Sequence, residues 1–162
     1  MQNAEANRTA LPARSLDSGC PTTSEKTREL ITASCDDQDR LVYRILEAAR
    51  AVHTALGPGF IESIYGRALA VELKQSGFEV DRERAIKIWY GLCLVGKHRL
   101  DLVVDNSVII ELKAGRGIIP VHLAQMNSYI HASNYPLGLL LNFGNTELQW
   151  EIIRSRDLSQ NC

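Results

Sequence analysis

The sequence predicts an α/β domain in which helices flank a mixed β-sheet, in the order ααβββαβ(β). Three observations predict it. Apolar residues recur at helical spacing from Leu41 to Leu56 and again from Ile61 to Leu69. Short runs of Val, Ile and Leu follow, each cut off by glycine or by turn-forming Asp, Asn and Ser. A helical segment opened by Pro120 then leads into Leu137–Phe143, a continuous apolar run of the kind a central strand buried on both faces requires.

Residues 1–37 are poor in large apolar side chains and rich in Ser, Thr, Ala and charge. They bury too little surface to offset the entropy of ordering. The expectation is a disordered tail with at most a transient helical turn over Ser24–Thr32. The folded domain is expected over 38–156, with a short tail over 157–162. Its first helix starts at a cap on Asp37 or Asp39. That helix turns Leu41, Val42, Ile45, Leu46, Ala49, Val52 and Leu56 to one side. Gly57-Pro58-Gly59 stops it. The second helix, about Ile61–Gln75, is expected to bury Ile61, Ile64, Tyr65, Ala68, Leu69 and the stem of Glu72, and to end at Gly77. Strand signals cover Glu79–Tyr90, Leu92–Val95, Arg99–Val104 and Val108–Lys113, separated by Gly91, Gly96 and Asp105-Asn106-Ser107. Pro120 opens a helix reaching about His131. Asn134-Tyr135-Pro136 turns the chain into the central strand, and the alternating stretch Glu147–Arg154 can add an edge strand.

The chain has 162 residues, 45% hydrophobic and 23% charged, the profile of one ordinary soluble domain. A net charge of −1 offers no global attraction to nucleic acid. Any such binding needs a local patch, for which Arg82, Arg84, Lys87, Lys97, His98, Arg99 and Arg116 are the candidates. Solvated strand ends are an equally good account of each. Cys20, Cys35, Cys93 and Cys162 show no metal-ligand spacing and read as free thiols of a reducing cytoplasm. No apolar run is long enough to span a membrane, and the N-terminus lacks a signal-peptide core. Gly115 and Gly117 are not followed by Gly-Lys-Ser/Thr, so a phosphate loop is excluded.

Chemistry concentrates between Arg99 and Lys113. Two apolar strands there carry Asp101 on the first and Glu111 and Lys113 on the second. Charges in such strands are costly to bury unless paired. Side chains alternate, so Glu111 and Lys113 share a face about 7 Å apart. A three-residue turn over Asp105–Ser107 pairs Val104 with Val108 and sets Asp101 opposite Glu111, with Cβ atoms roughly 5 Å apart. Two carboxylates that close repel unless a proton or a cation lies between them. An oxygen-only pair suits Mg²⁺ or Mn²⁺.

This Asp…Glu-x-Lys arrangement resembles the PD-(D/E)XK phosphodiesterase superfamily. Gly59-Phe-Ile-Glu62-Ser-Ile-Tyr65 matches the Gly-x-x-Glu-x-x-Tyr signature of its GxxExxY family, and Val52-His53-Thr-Ala-Leu56-Gly57-Pro58 before it is similar as well. Pro120-Val-His122-Leu-Ala-Gln125-Met-Asn-Ser-Tyr129 supplies a Gln-x-x-x-Tyr helix found in several superfamily nucleases. The resemblance runs from about Asp39 to Arg154.

It implies a restriction-endonuclease-like core and a metal-dependent nuclease acting on DNA, with RNA the second candidate. Asp101, Glu111 and the Leu112 carbonyl, with Glu62, would hold one or two Mg²⁺ or Mn²⁺ ions. Lys113 would orient the attacking water, with Gln125 beside it and Tyr129 in support. Each residue also has a plainer reading. Glu62 lies in a first helical turn, where acids are favoured by the dipole. Tyr65 can pack and orient Glu62 or touch substrate. Gln125 and Tyr129 share a helix face and can be rim and core. Asp101, Glu111 and Lys113 can form an ion-pair cluster with Arg99 or His98. His53 and His122 match positions where the family carries His and are equally well explained as structural. The competing function is a catalytically silent nucleic-acid-binding or protein-interaction module on the same fold. Little of so small a chain remains to grip a duplex, and a homodimer could supply the missing surface.

Overall fold

The computed structural model describes the backbone of residues 23–155 and side chains from Asp37 onwards. Most of the expected disordered tail, and the C-terminal tail, lie outside the described residues. Helix α1 spans Thr23–Leu56, so Asp37 and Asp39 lie inside it and cap nothing. Helix α2 spans Glu62–Gln75. Strands β1 (Val80–Tyr90), β2 (Cys93–Val104) and β3 (Val108–Lys113) follow, then helix α3 (Pro120–Ser133), β4 (Leu137–Asn142) and β5 (Gln149–Arg154). Contacts divide the chain into residues 1–37 and 38–162, and the candidate site residues all belong to the second unit.

The five strands lie in the order β1-β2-β3-β4-β5. All neighbours are antiparallel except β3 and β4, which α3 connects in parallel. Alternation sorts the side chains into two cores. Val108, Ile110, Leu112, Leu137, Leu139 and Leu141 pack with Val42, Ile45, Ala49, Leu69 and Leu73 of α1 and α2. Ile109, Leu140 and Ile153 pack with Met126, Tyr129 and Ile130 of α3. All six residues of β4 are buried, as a strand between two helical layers must be. Gly138 lets α3 close on it, since a Cβ there would lie 2.5 Å from the Met126 sulfur.

The sequence reading needs three corrections. Strand β2 runs unbroken through Gly96, which pairs with Ile88; the irregularity is a bulge at Val95, because Trp89 already pairs with Leu94. Ile61 and Ile64 are exposed, and Leu73 takes the core position on α2. The third concerns β2 near Asp101. Leu100 packs under α3 whereas Leu102 packs under α1 and α2, although residues two apart in a regular strand share a face. The strand therefore twists at Asp101, and opposite it on β1 Glu83 has a φ of 56°, a left-handed value that is rare outside glycine.

Candidate active site

The turn between β2 and β3 sets the site's register. Asp105 and Asn106 both take positive φ, which short polar side chains tolerate. Ser107 N–H donates to the Val104 carbonyl at 3.0 Å, and Val104 faces Val108. Pairing continues to Leu102–Ile110 and stops. There the strands part, and the Asp101 side chain takes over: its Oδ2 accepts the Leu112 N–H at 2.8 Å. Asp101 thus fills the fork between β2 and β3, half-buried.

Glu111 lies on the α3 side of β3 and is 6% exposed. Its Oε1 accepts from Lys113 Nζ at 2.8 Å, while its Oε2 is buried without a hydrogen-bond partner. Lys113 Nζ also donates to Gln125 Oε1 on α3, at 3.1 Å. Gln125 Nε2 in turn donates to the Tyr129 hydroxyl. His98 stacks on the Tyr129 ring, 4.2 Å between centroids. A line of contacts thus runs from Glu111 through Lys113 and Gln125 to Tyr129. Glu62 approaches from the other layer, at the start of α2, with Oε1 accepting the Ala114 N–H at 3.1 Å just past the end of β3. Glu62, Asp101, Arg82 and Leu112 help line a cleft of about 330 Å³.

Electrostatics follow from this crowding. Burial pushes the Asp101 carboxyl above the usual range, against the Leu112 N–H and the Lys113 charge; the Glu62 charge raises it further. Burial raises Glu111 too. The Lys113 hydrogen bond opposes this, and the charges of Asp101 and Glu62 reinforce it. Burial and the Glu111 charge push the Tyr129 hydroxyl up to about 12, so it stays neutral. Two reluctant carboxylates with one orphaned, buried oxygen fit a hard divalent cation. Among the described residues no three His, Cys, Asp or Glu side chains gather into a metal cage. A cation here would rest on two carboxylates, completed by main-chain oxygen and water.

Of Tyr65, Tyr129 and Arg99, each a candidate substrate contact, the structure exposes only Arg99. Tyr65 is fully buried, stacked on Phe143 at 4.6 Å between centroids. Its hydroxyl donates to the Gly57 carbonyl at 2.7 Å and accepts the Phe60 N–H at 3.2 Å, so it ties down the loop before Glu62. Tyr129 is buried on α3, and its hydroxyl accepts from Gln125 Nε2. Arg99 is exposed but pairs with Glu83 at 3.2 Å. Tyr65→Phe should leave two main-chain groups short of a partner and cost about 1–2 kcal/mol. Thermal unfolding should read that loss while nucleic-acid affinity stays unchanged; weaker affinity at full stability would return Tyr65 to the substrate surface.

His53 and His122 each bond a main-chain group. His53 Nε2 bonds the Asn145 carbonyl oxygen at 2.9 Å, and His122 Nδ1 accepts the Ile119 N–H at the start of α3. Burial and the Lys113 charge lower the His122 pKa. Sequence reasoning passed over Asn142, the one buried amide of β4. Its Oδ1 accepts from Gly115 N and Gly144 N, and its Nδ2 donates to Gly115 O and Gln149 Oε1. An amide inside an apolar strand was the available signal. Gly144 approaches Gly115 so closely that a Cβ would lie 2.2 Å from its carbonyl oxygen.

A family model described as the PD-(D/E)XK nuclease superfamily matches residues 39–155, most of the chain. No curated protein matches. Among solved structures, one titled "Crystal structure of SSO0001" superposes with a TM-score of 0.46 at 21% identity, over 56% of this chain and 48% of that one. The chain therefore spans about half of that protein, and so loose a likeness carries no argument about either.

Proposed function

Because the chain belongs to the PD-(D/E)XK nuclease superfamily, we propose that it is a divalent-metal-dependent nuclease of the GxxExxY kind, hydrolysing phosphodiester bonds in DNA rather than RNA. The observation that carries this reading is the divided state of Glu111: one oxygen held by Lys113, the other buried without a partner among the described residues, on a carboxyl that feels the Asp101 charge. An oxygen so placed, on a carboxyl that the Asp101 and Glu62 charges also oppose, suits a cation as its partner.

In this reading Asp101 and Glu111, with the Leu112 main-chain oxygen, hold Mg²⁺ or Mn²⁺, and Glu62 closes the rim. Bound there, the cation supplies an acidified water and a countercharge for the phosphate. Lys113 is aimed by its two acceptors, Glu111 Oε1 and Gln125 Oε1. An ammonium has three N–H donors, so one remains for the attacking water or a phosphate oxygen. Gln125 is fixed in turn by the neutral Tyr129 hydroxyl, which makes Tyr129 a positioning residue.

Incubation of purified protein with plasmid, single-stranded and branched DNA and with RNA, in Mg²⁺ or Mn²⁺, tests the proposal. Cleavage of DNA that chelator and Glu111→Ala both stop is the expected result. Metal-independent binding without cleavage of any substrate would establish the silent module instead.

A further inference from the structure

The β1–β2 hairpin is the most uneven surface of the described structure. From Arg84 to Arg99 it has no acidic residue, yet Arg84, Lys87, Lys97 and Arg99 are cationic in a chain of net charge −1. Arg84 is compensated by Asp81 at 3.8 Å and Arg99 by Glu83 at 3.2 Å. Among the described residues Lys87 and Lys97 have no ion pair. They are direct cross-strand partners, an apposition of like charges that disfavours the hairpin by itself. Alternation gives them a common face with Arg99, opposite to Ile86, Leu100 and His98, which pack towards α3. The core under α1 and α2 reaches Val80 on β1 and Leu102 and Val104 on β2 and goes no further out along the hairpin, while Lys87 and Trp89 stay exposed and line an open cleft of about 580 Å³ with Ser128 and His131 of α3.

The outer end is apolar and aromatic. Trp89 is 56% exposed, Tyr90 81% and Leu92 97%. The bulge at Val95 turns the ladder just where Trp89 begins the tip. The inner end is the candidate active site, since β2 runs directly from Lys97 to Asp101, a distance of about 13 Å at strand spacing.

We propose that this hairpin guides a single-stranded segment of the substrate, with phosphates on Lys97 and Lys87 and a base stacked on Trp89. The inference rests on the nuclease reading and names its substrate class: nucleic acid unpaired next to the bond that is cut. Charge complementarity selects a polyanion, because an unneutralised lysine pair gains a partner only from added negative charge. The exposed indole selects an unpaired strand, because in a duplex the base faces are already stacked on one another.

Binding of a labelled single-stranded oligodeoxythymidine and of a blunt duplex of equal length, in chelator, separates this site from catalysis. The wild-type protein should prefer the single strand. Trp89→Ala should weaken single-strand binding roughly tenfold or more, with little effect on the duplex. Lys87→Gln with Lys97→Gln should reduce the slope of log K against log salt by about 1.4, as for two lost phosphate contacts on a single strand. All three positions are exposed, so thermal midpoints should not fall. Equal affinity of variants and wild type, in a protein that still cleaves, overturns the guide and leaves the nuclease reading intact. A protein that neither binds nor cleaves nucleic acid overturns both. If Trp89→Ala instead turns a dimer into a monomer in sedimentation, with single-strand affinity per chain unchanged, the hairpin is an interface between copies and the guide is refuted.

Discussion

Glu111→Gln should abolish cleavage and yet stabilise the metal-free protein at neutral pH. The site holds three carboxylates, Asp101, Glu111 and Glu62, against the single ammonium of Lys113. The amide keeps an acceptor for Lys113, fills the place of the orphaned Oε2 with a donor, and removes one charge from the crowd. A higher thermal midpoint of the metal-free protein is expected, because the amide carries no charge to bury. Lys113→Ala should do the opposite. It leaves Glu111 Oε1 and Gln125 Oε1 without their donor and removes the ammonium that acts on both Asp101 and Glu111. A loss of about 1–3 kcal/mol follows, again without cleavage.

Metal separates the two variants further. Wild-type protein should gain stability from Mn²⁺ by mass action. That gain should shrink in Glu111→Gln and grow in Lys113→Ala, where the cation replaces a lost positive charge. Thermal midpoints of three proteins with and without Mn²⁺ read all of this. Destabilisation by both substitutions, with no metal response in any of the three, would identify a plain buried ion pair.

The same acids predict a pH dependence. Burial raises the folded-state pKa of Asp101 and Glu111 above their ordinary 3.8 and 4.5. Between the ordinary and the raised values the folded protein binds more protons than the unfolded chain. These two groups therefore lower stability as pH rises through that window. Their contribution is most favourable below the ordinary values and is lost above the raised ones. Saturating Mn²⁺, or Glu111→Gln, should flatten the slope.

The register of the β2–β3 turn was legible because it depends on local chemistry alone, although pairing ends at Leu102–Ile110 and Asp101 does not face Glu111 as a ladder partner. Three turn residues and strict alternation determine a register, and Val104 does meet Val108. The twist at Asp101 was not legible. It is written in where Leu100 and Leu102 pack, and those partners lie on helices distant in sequence. Gly96 misled for a related reason: cross-strand pairing with Ile88 outweighs its weak intrinsic preference for a strand. Tyr65 reads equally well as surface or core until the Gly57–Phe60 loop folds back over its hydroxyl. Asn142 was hidden by its neighbours, since a run of Leu draws attention to burial rather than to what the buried amide bonds.

That amide supports the second large prediction. Asn142→Ala removes partners from Gly115 N, Gly115 O and Gly144 N together. Water can replace some of them in a part-buried loop, so the cost is set at about 3 kcal/mol, roughly 6–12 °C in thermal midpoint. The damage should not stay local. Gly115 follows Ala114, whose N–H holds Glu62 at the rim of the cleft, and the Phe143 N–H donates to the Lys113 carbonyl at 2.8 Å. Loosening this corner releases Glu62 while Asp101, Glu111 and Lys113 keep their own bonds. Cleavage should therefore fall even well below the new midpoint, while the Mn²⁺ response weakens without vanishing. Gln149→Ala, which removes only one of the four bonds, should show little of either effect. An Asn142→Ala protein with an unchanged midpoint and full activity would show that the close approach of Gly144 to Gly115 holds the corner by itself.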